Sequence, residues 1–138
     1  MSTYNEHMER FKHNKRLTEF LAEHEEYGVL SDWYVTVAFY TASQRVEAMF
    51  FVVKPKIRGR MGVITTVEHS RGHKHRNQII KGCFDDLRDA YTTLYGYSRV
   101  AKYRCHIDIS PNSKSPKELL WEIEKKCEER ERPLLHGQ

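Results

Sequence analysis

A chain of 138 residues fits one domain and is long enough to bury a core without disulfide or metal staples. Its apolar share of 39% is lean, its charged share of 30% is high, and it has only seven glycines and four prolines. That balance argues against a turn-rich β-sandwich and for a small helical domain with a heavily charged surface. The formal net charge of +4, which eight histidines can raise near neutral pH, supports a polyanionic partner without establishing one.

Three cysteines, Cys83, Cys105 and Cys127, are an odd number at wide spacing and make no disulfide framework; reduced thiols in a cytoplasmic protein are the expectation. The first residues carry no apolar stretch of the kind a signal peptide needs. The longest apolar-rich run, residues 35–53, is broken by Thr36, Tyr40, Ser43, Gln44, Arg45 and Glu47, which excludes an ordinary membrane span.

In chain order the pattern predicts five helices. The first covers residues 5–26, with Met8, Phe11, Phe20 and Leu21 as its apolar stripe, weakened by Lys15, and a stop near Tyr27-Gly28. The second starts at the capping pair Ser31-Asp32 and runs to Val53, before Pro55. It carries Trp33, Val37, Tyr40, Ala48 and Phe51 among many other apolar residues, as a central helix buried on more than one face would. The β-branched run Val35-Thr36-Val37 leaves a strand open as an alternative for its start, but the length favours a helix. Residues 54–70 read as a basic loop with a short extended piece at 61–67. A third helix starts near Gly72 and carries Ile79 and Ile80, with Gly82 as a possible break. The fourth has the clearest period, Cys83, Leu87, Ala90, Tyr91 and Leu94, and is expected to end near Gly96. Residues 97–113 then read as irregular, with Pro111 and Asn112 as turn formers. Ser115-Pro116-Lys117-Glu118 is a sharp start for the fifth helix, to about Arg130, burying Leu119 or Leu120, Ile123 and Cys127. Residues 1–132 are thus expected to form a single domain and residues 133–138 a disordered tail.

The charge is unevenly spread. Between Lys54 and Lys81 eight cations face one acid, Glu68; a second basic stretch is Arg99, Lys102 and Arg104; the acids gather instead at residues 19–26 and 118–131. In the second stretch Arg99 and His106 are separated by six residues. Arginine offers a fixed charge with planar donors for phosphate oxygens, and histidine titrates near working pH. Together they suit metal-free RNA cleavage, in which a base deprotonates the ribose 2′-hydroxyl and a cation stabilises the phosphorus centre. A basic turn with a surface histidine explains the same residues. His69, His73 and His75 invite zinc, but no nearby aspartate or paired cysteine completes a ligand set. A phosphate-binding surface of Arg71, His73, His75 and Arg76, or a hydrogen-bond network at a helix start, is the preferred reading. Tyr91, Tyr95, Tyr97 and Tyr103 beside cations suit base stacking, or plain packing. No glycine-rich phosphate loop, nucleophile elbow or His-Glu-x-x-His occurs, and no cofactor is implied.

The run Asp32-Trp33-Tyr34-Val35-Thr36-Val37-Ala38-Phe39-Tyr40 followed by Val46-Glu47-Ala48 resembles the long second helix of HEPN (higher eukaryote and prokaryote nucleotide-binding) domains. His73-Lys74-His75-Arg76-Asn77 and the block from Leu94 to Tyr103 resemble two further segments of small prokaryotic members, so the likeness spans residues 31–106. The resemblance implies an all-α, up-and-down bundle that usually dimerises. Many members are metal-independent endoribonucleases of toxin–antitoxin, antiviral or CRISPR-associated systems, marked by an arginine, four to six residues, then a histidine. Arg99 and His106 fit that spacing at its upper limit, with Val100 where the family often has a polar residue; Arg71 and His75, with only three residues between them, fit less well. The expectation is therefore a homodimeric RNA-cleaving protein with Arg99 and His106 as catalytic residues, Lys102, Tyr103 and Arg104 assisting, and an antitoxin or other protein as a further partner. The alternative is a non-catalytic module that binds nucleic acid, nucleotide or protein.

Overall fold

The computed structural model describes residues 3–24, 29–103, 106–108 and 113–135, with the backbone alone at 29–30, 60 and 106–108. Helix α1 spans Tyr4–Ala22, α2 Asp32–Val53, α3 His73–Cys83, α4 Asp85–Ala101 and α5 Pro116–Leu135. Two short antiparallel ladders trim this all-α bundle: β1 (Val29–Ser31) with β4 (His106–Asp108), and β2 (Lys56–Arg58) with β3 (Ile64–Thr66).

Helix α2 forms the axis and packs against α1, α4 and α5. Its start is set chemically: the Ser31 hydroxyl accepts the Tyr34 N–H at 3.2 Å, and Asp32 lies in the first turn, where the helix dipole favours a negative charge. Its end is set by Pro55, which removes the next donor, and by Lys54 in the left-handed region at φ 53°. Between them Val35, Ala38, Ala42, Val46, Met49 and Phe50 are fully enclosed. Trp33 (70% exposed) and Tyr40 (53%) face outward, so the buried face is rotated from the one the sequence suggested. An almost uniformly apolar helix has no period from which to read its orientation. No described helix is long and apolar enough to cross a membrane.

Helix α1 stops at Ala22, four residues short of the expected end at residue 26, and its expected terminator, Tyr27-Gly28, lies outside the described residues. His7, Phe11 and Thr18 are its buried residues, while Phe20 is 59% exposed. Lys15 belongs to the buried side because Glu124 of α5 answers it at 2.9 Å. The basic loop after α2 is a hairpin: β2 turns through a 3₁₀ segment at Arg60–Gly62 into β3, inside the stretch expected to be extended.

Helices α3 and α4 meet at Phe84, not at Gly82. Helix α4 then runs through Gly96 to Ala101. A mid-helix glycine costs about 1 kcal/mol, less than the roughly 1.5–3 kcal/mol gained by fully burying one large apolar side chain such as Leu94. Residues 97–101 are therefore helical rather than irregular, and Arg99 sits on a rigid element. Pro111 and Asn112 lie outside the described residues.

Helix α5 opens as a reciprocal capping box. The Ser115 hydroxyl accepts the Glu118 N–H at 3.2 Å, and Glu118 accepts the Ser115 N–H at 3.1 Å. Both Leu119 and Leu120 are buried, with Ile123 and Cys127. The helix continues past Arg130 and through Pro133 to Leu135, so residues 133–135 are helical where a disordered tail was expected. The reason lies one turn earlier. Glu131 is 2% exposed and grips Arg45 of α2 with two hydrogen bonds, 2.7 and 2.5 Å.

Candidate nucleic-acid interface

Helices α3 and α4 face each other across an open groove of about 630 Å³. Helix α3 contributes Lys74, Asn77, Gln78 and Lys81, which recur at one-turn spacing along one side of the helix. Helix α4 contributes Tyr95 and Arg99 one turn apart, followed by Lys102 and Tyr103 at its end. Among the described residues the lining has four cations and two aromatic rings but no carboxylate. The Arg99 guanidinium lies 5.9 Å from the centroid of the Tyr95 ring, which limits its freedom without neutralising it. Tyr103 is 87% exposed.

A buried polar network holds α3 in place. Glu47, on α2, accepts from the Ser70 N–H (2.8 Å), the Ser70 hydroxyl (2.6 Å) and Arg76 Nε (3.1 Å). Arg76 also donates to His73 Nδ1 at 3.0 Å and reaches Ser43 and the Tyr91 hydroxyl at 3.4 Å. An arginine N–H can only donate, so His73 Nδ1 accepts and the neutral ring carries its proton on Nε2. Partial burial, Arg76 and Lys102 all lower the His73 pKa below its ordinary value. The ring lies against Phe39 (5.4 Å) and Tyr95 (6.3 Å), which brings His73 to the Tyr95 end of the groove.

His75 does what a capping-box side chain does: its Nδ1 accepts the Arg71 backbone N–H at 2.9 Å, in place of a side-chain cap from Gly72. Its pKa is lowered by burial and by Arg71, against the pull of Glu47. With Arg71 and His69 it lines a second cavity of about 710 Å³ beside the β2–β3 hairpin. Two histidines with depressed pKa values leave the unfolded chain binding more protons than the folded one around and below pH 6.5. Their contribution to stability is present above that pH and is lost as pH falls. The urea midpoint should therefore drop on acidification from pH 7 to pH 5, less steeply in His75→Gln than in the native protein; equal slopes would show that His75 contributes nothing.

Of the residues singled out in the sequence, Arg99, Lys102 and Tyr103 come together in the groove. Arg71 and His75 line the other cavity, and Arg76 is tied into the Glu47 network. His106 begins β4, its backbone paired with Ser31; Arg104 and Cys105 lie outside the described residues. His7 and His69 have rings 5.4 Å apart, but among the described residues no three His, Cys, Asp or Glu side chains converge to hold a metal. The α3 side of the groove and the Glu47 anchor escaped sequence reasoning. The period of Lys74, Gln78 and Lys81 was a usable signal for the first, and a carboxylate inside an apolar helix for the second.

Fold and groove together define a helical protein with a cationic, aromatic-flanked cleft. No known family model matches the chain, no curated protein matches its sequence, and no solved structure matches its fold.

Proposed function

We propose that this chain binds RNA in the α3–α4 groove and cleaves it without a metal, as a homodimer of the HEPN kind. The observation that carries the binding is the lining: cations from two rigid helices, two tyrosines for bases and no opposing carboxylate. Cleavage rests on the arginine–histidine spacing and the resemblance. Arg99 would bind the scissile phosphate while His106 takes the proton from the 2′-hydroxyl. The freed oxygen attacks phosphorus, the 5′-oxygen leaves with a proton, and a cyclic phosphate results.

The expected result is cleavage of RNA in excess chelator, reduced about 10²–10⁴-fold in His106→Ala. The affinity for RNA should fall with salt with a log–log slope near −2 to −3, as about four neutralised phosphates require of a single strand. A second reading is favoured by the position of Arg99, which lies in the last turn of α4 against Tyr95, where a cation complements the helix dipole. On that reading the chain binds RNA, or with it a protein partner such as an antitoxin, and does not cut. Salt-sensitive binding with no cleavage by the native protein would select it. Equal cleavage by native protein and His106→Ala would remove His106 from the chemistry.

A further inference from the structure

The β2–β3 hairpin carries residues at its tip that a turn does not call for. Tight turns favour glycine, asparagine and aspartate. Here Met61 occupies the left-handed region at φ 63° and is 100% exposed, while Val63 and Ile64 are 62% and 59% exposed. Fully exposed, Met61 gains no packing from the chain. A bulky apolar side chain held in water in a disfavoured conformation points to a contact made outside the fold.

Behind the tip the charge is positive. The register pairs Arg58 with Ile64 and Lys56 with Thr66, so these side chains leave one face of the hairpin. Ile57 and Thr65 leave the other face and line the cavity shared with His75. Arg58 and Lys56 are both exposed, and they are about 7 Å apart along the strand. The Arg58 guanidinium lies over the turn, 3.9 Å from where a Cβ on Gly62 would stand. Lys54, at the root, is 4.0 Å from Glu68, the single acid between Lys54 and Lys81.

A convex aliphatic tip with a cationic collar limits the kind of partner. An unpaired base offers a flat face, and the tip has no ring to stack on it. A fluid bilayer takes up aliphatic side chains without a matching socket, and its anionic lipids attract cations held just behind them. Met61 is three residues beyond Arg58, about 10 Å of extended chain at most. That reach matches the roughly 5–10 Å to which interfacial segments enter a membrane.

We propose that the hairpin is a peripheral anchor for an anionic bilayer surface. Met61, Val63 and Ile64 enter the boundary between headgroups and acyl chains, while Arg58 and Lys56 stay among the lipid phosphates. No described helix spans a membrane, so the attachment is superficial and reversible. None of these residues lines the α3–α4 groove, so the anchor is independent of the RNA reading.

The test is co-sedimentation of the full chain with two kinds of vesicle, beside RNA binding by the same proteins. One kind is phosphatidylcholine alone; in the other, one lipid in three is phosphatidylserine. The native protein should bind the mixed vesicles and leave the neutral ones. Lys56→Ala and Arg58→Ala should each weaken that binding about fivefold. The triple variant Met61→Ser, Val63→Ser, Ile64→Ser keeps every cation, yet should bind at least about tenfold more weakly with its RNA affinity unchanged. Met61→Gly suits the left-handed turn and should lose part of the vesicle binding without losing stability in urea, which guards against a triple variant that fails to fold. A native protein that ignores the mixed vesicles overturns the proposal. So does a folded triple variant that binds them as the native protein does, since adsorption by net charge then explains everything. Loss of RNA binding in that variant, with vesicle binding intact, assigns the tip to nucleic acid instead.

Discussion

Glu131→Gln is expected to destabilise the protein by about 3–5 kcal/mol. Arg45 is 1% exposed at the centre of α2, and among the described residues its charge is matched only by the two Glu131 hydrogen bonds from α5. Burial opposes the charged guanidinium, but Glu131 outweighs it and raises the Arg45 pKa. Among the described residues no second carboxylate reaches it: Arg45 Nε has no hydrogen-bond partner, the Phe11 ring lies 5.8 Å from the guanidinium, and the Cys127 thiol is pushed up to about 12 by burial and stays neutral. Removing the carboxylate charge therefore leaves a buried cation uncompensated. The pair as a whole need not be stabilising, because desolvating both ions offsets most of their attraction. The double variant Arg45→Met with Glu131→Leu should thus recover most of the loss. Urea unfolding of Arg45→Met, Glu131→Leu and the double closes the cycle; additive losses, with no recovery in the double, would show that the two charges are not coupled.

Glu47→Ala should cost about 2–4 kcal/mol, and it should also weaken RNA binding although Glu47 does not line the groove. On charge alone the opposite is expected, since deleting an acid makes the protein more cationic. The sign therefore separates two roles. Glu47 holds Ser70 and Arg76, which fix the start of α3, and Arg76 in turn orients His73. Without that carboxylate Arg76 loses its ion pair, and Lys74, Asn77 and Lys81 lose the rigid frame that aligns them with α4. Binding titrations beside an unfolding curve decide the matter. An unchanged or higher affinity would mean that α3 needs no such anchor.

The parts of this fold that were legible in the sequence are those dictated by local chemistry. Ser31 and Ser115 announced two helix starts because capping is a property of four consecutive residues. Pro55 announced an end for the same reason. What stayed hidden depends on partners remote in the chain. Helix α4 passes through Gly96 because its flanking residues pack, and α5 persists to Leu135 because Glu131 has a partner on α2. The pairing of β1 with β4 joins segments that no periodicity links. In the site, Arg99, Lys102 and Tyr103 were recognisable as a basic aromatic run, but their partners on α3 were read as a histidine cluster. The imidazoles were more conspicuous than the lysines and amide that face the groove.

The link between Arg45 and Glu131 spans 86 positions of sequence, which bears on the order of events during synthesis. A nascent chain can assemble α1 and α2 early, since both are local and lie side by side. Closing that partial core around Arg45 would strand a cation in apolar surroundings until the last turns of α5 leave the ribosome. Completion of the interior is therefore deferred until α5 has been made, and the side of α2, the most apolar helix, that α5 covers stays open meanwhile. Val46, Met49 and Phe50, enclosed only in the finished bundle, make that waiting period the stage at which a chaperone has the most to hold.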